Sequence, residues 1–198
     1  MPKLEKEAMQ LSKGKILDVG CGGGSHSLFL QEKGFDVTAI DISANVIKAC
    51  KLRGVQNARV QNLLEVSTDT SESELAKQKF DTILLLMNGT GIFGTLSETS
   101  KYLQKLKSLL NPNGQILIDS SDIIYMFDKA DDGSYIIPAD GYYGELTFTI
   151  SYKNETEESF PWLYLDYNTF QNVAYANGLQ CELVQEGKHF DYLARLFY

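Results

Sequence analysis

The chain has 198 residues, 43 % of them hydrophobic, and a formal net charge of −8 from 26 acidic against 18 basic side chains. That length suits one well-buried core rather than two ordinary domains, and the charge disfavours a nucleic-acid groove, whose phosphates need clustered Lys and Arg. No run approaches the roughly 18 apolar residues of a membrane span and the first ten residues are charged, so a cytoplasmic single domain over residues 1–198 with no membrane partner is expected, its oligomeric state unspecified.

One short helix is expected around Leu4 to Leu11. Lys15 to Val19 is apolar and β-branched, as a buried parallel strand should be, and runs directly into Gly20, Cys21, Gly22, Gly23 and Gly24. Without Cβ atoms such a turn can take positive φ and let a ligand approach the backbone, while the first amides of the next helix point free N–H groups at it. Ser25 suits the cap of that helix and Gly34 its stop. The dinucleotide pattern GxGxxG would need a third glycine at position 25, where Ser25 stands; the spacing is GxGxG instead.

FDVTAIDIS reads as a second strand ending in Asp41, 21 residues after Gly20. A carboxylate at that strand tip can accept from both hydroxyls of a ribose, each bond to a charged acceptor contributing about 1.5–3 kcal/mol, and Ile42 can lie on an adenine face. An adenosine cofactor is the expectation. His26, in the first turn of the following helix, can approach a cofactor carboxylate or serve only the helix start.

ARVQ is strand-like. Phe80 to Met87 is almost continuously hydrophobic, as a central parallel strand covered on both faces should be. Tyr102, Leu103, Leu106, Leu109 and Leu110 recur at helical spacing, with Lys101 and Lys105 turned away, and Asn111, Pro112, Asn113 and Gly114 break that helix before a fifth strand. Residues 120–167 then add a helix start, the acidic loop DKADDG and a hairpin. Leu146, Phe148, Ile150 and Tyr152 alternate with polar residues as in a half-buried strand, KNETEE turns, and FPWLYLD returns at an edge because Pro161 cannot donate. Ten of the eleven tyrosines and the single tryptophan, Trp162, follow Asp119, so this insertion reads as a substrate-side wall. Asn168 or Thr169 caps a last helix that Asn177 and Gly178 end, and two final strands follow, Cys181 to Gln185 and Tyr192 to Phe197.

Cys21, Cys50 and Cys181 are odd in number and form no C-x-x-C pair, and the only histidines are His26 and His189. Neither a disulfide framework, a zinc ribbon nor another metal site is indicated, and Asp119 with Asp122 lacks a third ligand.

LDVGCGGG, the acid at the tip of the second strand, FDTILLLMNG and LNPNGQILID together resemble the class I S-adenosylmethionine-dependent methyltransferases. The resemblance implies an α/β, Rossmann-like three-layer sandwich with a mostly parallel seven-stranded sheet of order 3-2-1-4-5-7-6, the last strand antiparallel, and the hairpin inserted after strand 5. It implies S-adenosyl-L-methionine as cofactor, S-adenosyl-L-homocysteine as product and a small-molecule acceptor. Carried over residue by residue, Asp18 is the acid before the glycines, Gly20, Gly22 and Gly24 wrap the methionine portion with Cys21 in the same turn, and Asp41 binds the ribose, while His26 and Ile42 beside them keep the roles given above. Asn62 and Leu63 frame adenine, with Asn62 standing where many members have aspartate, and Asn88 lies at the fourth strand's mouth. The Asn/Asp-Pro-Pro-aromatic turn of several nitrogen-methylating branches is replaced by Met87, Asn88, Gly89, Thr90 and Gly91. No catalytic residue is marked: Asn88, Asp119, Asp122 and Tyr125 are near strand mouths and suit loop caps as well as substrate contacts. A non-catalytic cofactor-binding protein and a nicotinamide-dependent oxidoreductase are the alternatives, the latter disfavoured by Ser25.

Overall fold

The computed structural model describes residues 1–66 and 78–198. Its centre is a seven-stranded sheet built from β1 (Ile16–Val19), β2 (Val37–Asp41), β3 (Ala58–Val60), β4 (Phe80–Leu85), β5 (Leu110–Ser121), β10 (Gln180–Glu186) and β11 (Asp191–Phe197), in the order β10-β11-β5-β4-β1-β2-β3. Strands β3, β2, β1, β4 and β5 are parallel, whereas β11 runs antiparallel to both β5 and β10. Counting only sheet strands, the order is the expected 3-2-1-4-5-7-6.

Both faces of the sheet are covered, and the side-chain alternation along each strand shows how. Leu17, Ile83, Leu85, Ile116 and Ile118 face α4 (Leu96–Leu109) and α5 (Tyr167–Ala176), packing with Leu103, Leu106 and Phe170. Ile16, Leu84 and Leu117 point the other way, onto Leu4, Ala8 and Met9 of α1 (Lys3–Leu11) and Leu30 of α2 (Ser25–Glu32). A third cluster seats Ile47 and Cys50 of α3 (Ala44–Leu52) on Ala39, Ala58 and Cys21. Each such fully buried aliphatic side chain contributes about 1.5–3 kcal/mol. The result is a stiff platform whose parallel strands all end on one edge.

Local boundaries follow side-chain chemistry. Gly24, at φ 77°, is the residue before α2 and offers no side-chain cap, so Ser25 is the first helical residue and not the cap the sequence suggests. Gly34 does follow the helix with φ 88°. Asp166 caps α5, its Oδ1 accepting the Thr169 amide at 2.9 Å, which displaces Asn168 and Thr169 from that role. Leu110 belongs to β5, and Asn113, at φ 64°, makes the turn within it.

Between β5 and α5 the chain leaves the sheet. It forms two small antiparallel ladders, β6 (Glu145–Phe148) with β9 (Phe160–Leu163), and β7 (Ser151–Tyr152) with β8 (Glu155–Thr156). Pro161 pairs with Thr147 in a ladder of two strands, where its missing N–H costs no interior bond. The alternation from Leu146 to Tyr152 promises a half-buried strand, yet Phe148, Ile150 and Tyr152 are 38 %, 50 % and 70 % exposed. Two strands cannot cover their own faces, and it is β9 that docks, against the turn Gly89–Phe93 after β4 with Leu163 in the core.

Candidate functional site

The turn after β1 is the tightest part of the parallel edge. Gly20, Gly22 and Gly24 all have positive φ, at 68°, 51° and 77°, conformations in which side chains are strained. Gly24 also lies where a Cβ would stand 2.7 Å from Val55 Cγ2 and 2.9 Å from Cys50 Sγ, while a Cβ on Gly22 would meet nothing within 4 Å. One glycine therefore serves packing and the other leaves space.

Asp41, at the tip of β2, ties this turn to the neighbouring strand. Its Oδ2 accepts the Gly22 amide at 3.2 Å and its Oδ1 accepts the Ser43 amide at 2.9 Å. Each carboxylate oxygen has lone pairs left, so an oriented acceptor faces the crevice. Asp18 does something else. It is buried in β1, and its Oδ2 accepts the Ser27 hydroxyl at 2.6 Å, fixing the first turn of α2 against the strand. Burial pushes the Asp18 carboxyl above the usual range, and the Ser27 hydrogen bond is the main opposing influence.

The Cys21 thiol turns away from the crevice, with its Sγ 3.8 Å from that of Cys50; Cys50 in turn donates to the Gly22 carbonyl at 2.9 Å. Burial raises both thiols above their ordinary values, so they pack as small apolar groups. His26 sits beside the turn with its Nε2 2.7 Å from Glu5 Oε2, which fastens α1 to the start of α2. Asn62 uses its side-chain oxygen to accept the Leu64 amide at 3.0 Å, capping a 3-10 turn over Leu63–Glu65.

At the mouth of β4 the backbone is strained. Met87 and Asn88 both have positive φ, 69° and 62°, which for non-glycine residues requires compensation. Asp119 supplies it by accepting the Gly89 amide at 2.9 Å and the Met87 amide at 3.1 Å. Burial pushes the Asp119 carboxyl up to about 6 against the pull of these amides. Behind the turn, Thr90 Oγ1 lies 2.6 Å from Ser120 Oγ and donates to the Leu163 carbonyl at 3.1 Å, and Ser120 also accepts the Leu165 amide at 2.9 Å. β9 is thereby latched to the β4 mouth. A Cβ on Gly91 would run into the Trp162 indole, so only glycine lets the ring lie there.

These elements enclose one cavity of about 830 Å³. Of the residues singled out from the sequence, Gly20, Cys21, Gly22, His26, Asp41, Ile42, Asn62, Leu63 and Asn88 line it, whereas Asp18 and Gly24 shape it from behind. Asp119 acts through the Met87 and Gly89 amides and does not face it. Asp122 accepts from the Tyr143 hydroxyl at 2.7 Å and the Ile124 amide at 2.8 Å, and Tyr125 stacks on Phe190 at 5.2 Å; both stand away from the cavity. The insertion contributes Ile150, Glu157, Phe160, Pro161 and Trp162 to the wall, but none of its tyrosines. The tyrosine that does line the cavity is Tyr102 of α4, with Glu98 one turn before it, and the sequence pattern assigns Tyr102 to the helix's core stripe. Their i, i+4 spacing was legible; the direction of that face was not.

Comparison with known proteins adds an independent line. A family model described as a methyltransferase domain matches residues 10–160. A crystal structure of an S-adenosylmethionine-dependent methyltransferase from Bacteroides fragilis, in complex with S-adenosyl-L-homocysteine, is 47 % identical with a TM-score of 0.88, covering 100 % of this chain and 77 % of that one. The Bacillus subtilis protein YqeM, named as a methyltransferase, is 30 % identical over 66 % of this chain and 55 % of its own length. A ubiquinone biosynthesis O-methyltransferase of Histophilus somni is 27 % identical over 59 % of this chain and 49 % of its own. The chain thus spans about half the length of the curated relatives it matches.

Proposed function

The chain belongs to the methyltransferase-domain family, and from that premise we propose that it binds S-adenosyl-L-methionine in the cavity at the parallel edge and methylates a small-molecule acceptor. The observation that carries this reading is the pairing of the Asp41 carboxylate with the Gly22 amide at 3.2 Å, which sets a ribose acceptor beside an open stretch of glycine backbone.

The residues present fit such a cofactor. Asp41 takes the ribose diol, Ile42 lies along one adenine face, and Asn62 with Leu63 frames the other side. Gly20 and Gly22, with the first amides of α2, receive the amino-acid portion, and Asn88 closes the cradle at the β4 mouth. Asp18, Gly24 and Cys21 hold that backbone in shape, and His26 keeps α1 against it through Glu5. When bound, S-adenosyl-L-methionine supplies a methyl group already activated on a sulfonium, and S-adenosyl-L-homocysteine is what remains.

The protein's contribution is then alignment and exclusion of water, for which well-oriented reacting pairs gain about 7–11 kcal/mol. A base is required only for a nucleophile protonated at working pH. We treat residues 1–198 as one domain, with residues 120–167 as its acceptor-side insertion. The net charge of −8 supports a small acceptor over a nucleic acid, and among the described residues no helix is long and apolar enough to cross a membrane, in keeping with a cytoplasmic place of action.

Calorimetric titration tests the proposal. Micromolar binding of S-adenosyl-L-homocysteine with none of NADH is the expected result, and the reverse overturns it. Transfer of labelled methyl to a metabolite extract then distinguishes an enzyme from a protein that only holds the nucleotide.

A further inference from the structure

At 830 Å³ the cavity lies near the upper end of the roughly 300–1,000 Å³ that enclose a drug-sized ligand, so an acceptor has room beside a donor held at Asp41 and Asn62. The end formed by α4 and the insertion has a composition of its own. Tyr102, Phe160 and Trp162 contribute aromatic surface, with Phe93 buried behind Tyr102 at 5.0 Å, and the charged groups on these elements are Glu98 on α4 and Glu157 after β8, both solvent-exposed. Among the described residues, no lysine or arginine lines the cavity. Glu98 shares its carboxylate with Lys101, whose Nζ is 3.3 Å from Oε2 and which stands outside the cavity; Glu157 has no ion-pair partner among the described residues.

Resting on the methyl-transfer reading of this site, we infer that the acceptor is an organic amine, recognised as an ammonium between aromatic rings and the carboxylates of Glu98 and Glu157. An anionic acceptor would leave its own charge facing two carboxylates, with no lysine or arginine among the described lining residues to meet it, whereas an ammonium meets both carboxylates and the negative faces of the rings. The two glutamates approach from different elements, one from α4 and one from the inserted hairpin, so the hairpin selects the acceptor as well as covering it.

The proton leaves by water. An ammonium has no lone pair, so before transfer one N–H proton passes to water, and the resulting amine stays between the rings and the carboxylates. The freed lone pair forms the new C–N bond as the bond from methyl to sulfur breaks and its electron pair stays on sulfur. The methylated nitrogen carries the positive charge that sulfur gave up, and the two carboxylates face that charge.

Trp162 is the only tryptophan in the chain and stands at this end, so its fluorescence reports acceptor binding directly. With S-adenosyl-L-homocysteine bound, phenethylamine, 2-phenylethanol and phenylacetate are titrated in turn against the wild type and the double variant Glu98→Gln/Glu157→Gln. The expected result is saturable perturbation of Trp162 by the amine, at least tenfold tighter than by the alcohol, with no response to phenylacetate. In the double variant the preference of amine over alcohol falls at least tenfold while the alcohol's own affinity is unchanged. An alcohol or carboxylate that binds as well as the amine overturns the inference, as does an amine preference untouched by the substitutions or a Trp162 that responds to none of the three. Calorimetry of S-adenosyl-L-homocysteine on the same samples separates the two levels: if it binds and the amine preference is absent, only the acceptor assignment falls; if it does not bind, the methyl-transfer reading falls first.

Discussion

Asp119 Oδ1 accepts the Gly89 amide at 2.9 Å, so a buried carboxylate from β5 holds the turn at the end of β4. Its other oxygen takes the Met87 amide, and between those two amides lies Asn88 in the left-handed region. The carboxylate therefore acts on the site through backbone shape.

That placement has a pH signature. Burial raises the Asp119 carboxyl from 3.8 to about 6, so between those values the folded protein holds a proton that the unfolded chain has lost. The contribution of Asp119 to stability consequently declines as pH rises through this window, by up to about 3 kcal/mol. Urea unfolding of the wild type and Asp119→Asn at pH 4 and pH 7 should show the difference between them shrinking toward neutral pH, against the wild type. A difference independent of pH would contradict the burial argument.

Asp41→Ala removes the acceptor of the Gly22 and Ser43 amides together with the proposed ribose contact. Affinity for S-adenosyl-L-homocysteine, read by calorimetry, should fall at least tenfold, and Asp41→Asn should fall by less because its amide oxygen still accepts. Unaltered affinity in the alanine variant would remove Asp41 from the cofactor site.

Ser27→Ala takes a hydroxyl donor from the buried Asp18 carboxyl. Stability should drop by about 1–3 kcal/mol, the cost of stranding a buried acceptor, which chemical denaturation resolves easily. An effect within the roughly 0.5 kcal/mol typical of surface changes would mean that Asp18 has found another donor.

Gly91→Ala places a methyl group where the Trp162 indole lies. Displacing the ring, which is half-buried against this turn, should shift its emission to longer wavelength and loosen the acceptor end, with little change in S-adenosyl-L-homocysteine binding at the far end. Emission unchanged from the wild type would show that the ring and residue 91 are not in contact.

The parallel sheet was legible because its signals are local: LDVGCGGG, VTAID and the hydrophobic run from Phe80 carry period, length and turn chemistry in a few residues each. The gathering of Gly20, Gly22, Asp41 and Asn62 around one cavity followed for the same reason, since all sit on strand ends that a parallel order brings to one edge. The hairpin was legible as strands and turn but not as surface, because exposure of Phe148 or Tyr152 depends on which ladder packs on what. Of the residues singled out for nearness to strand mouths, Asn88 lines the cavity, whereas Asp122 and Tyr125 stand away from it, held by Tyr143 and Phe190 in contacts that sequence does not show.

What the sequence determined by itself, then, was the individual strands, the glycine turn and the acid at the tip of the second strand, features set by backbone sterics and by hydrophobic period within short windows; the strand order came from the family resemblance. Only the tertiary structure decided that Asp119 braces a strained turn, that Trp162 fills the space left by Gly91, and that Glu98 and Glu157 face one cavity. Those meetings join residues 30 to more than 70 positions apart, and no local preference encodes which way a side chain points once two distant elements have docked.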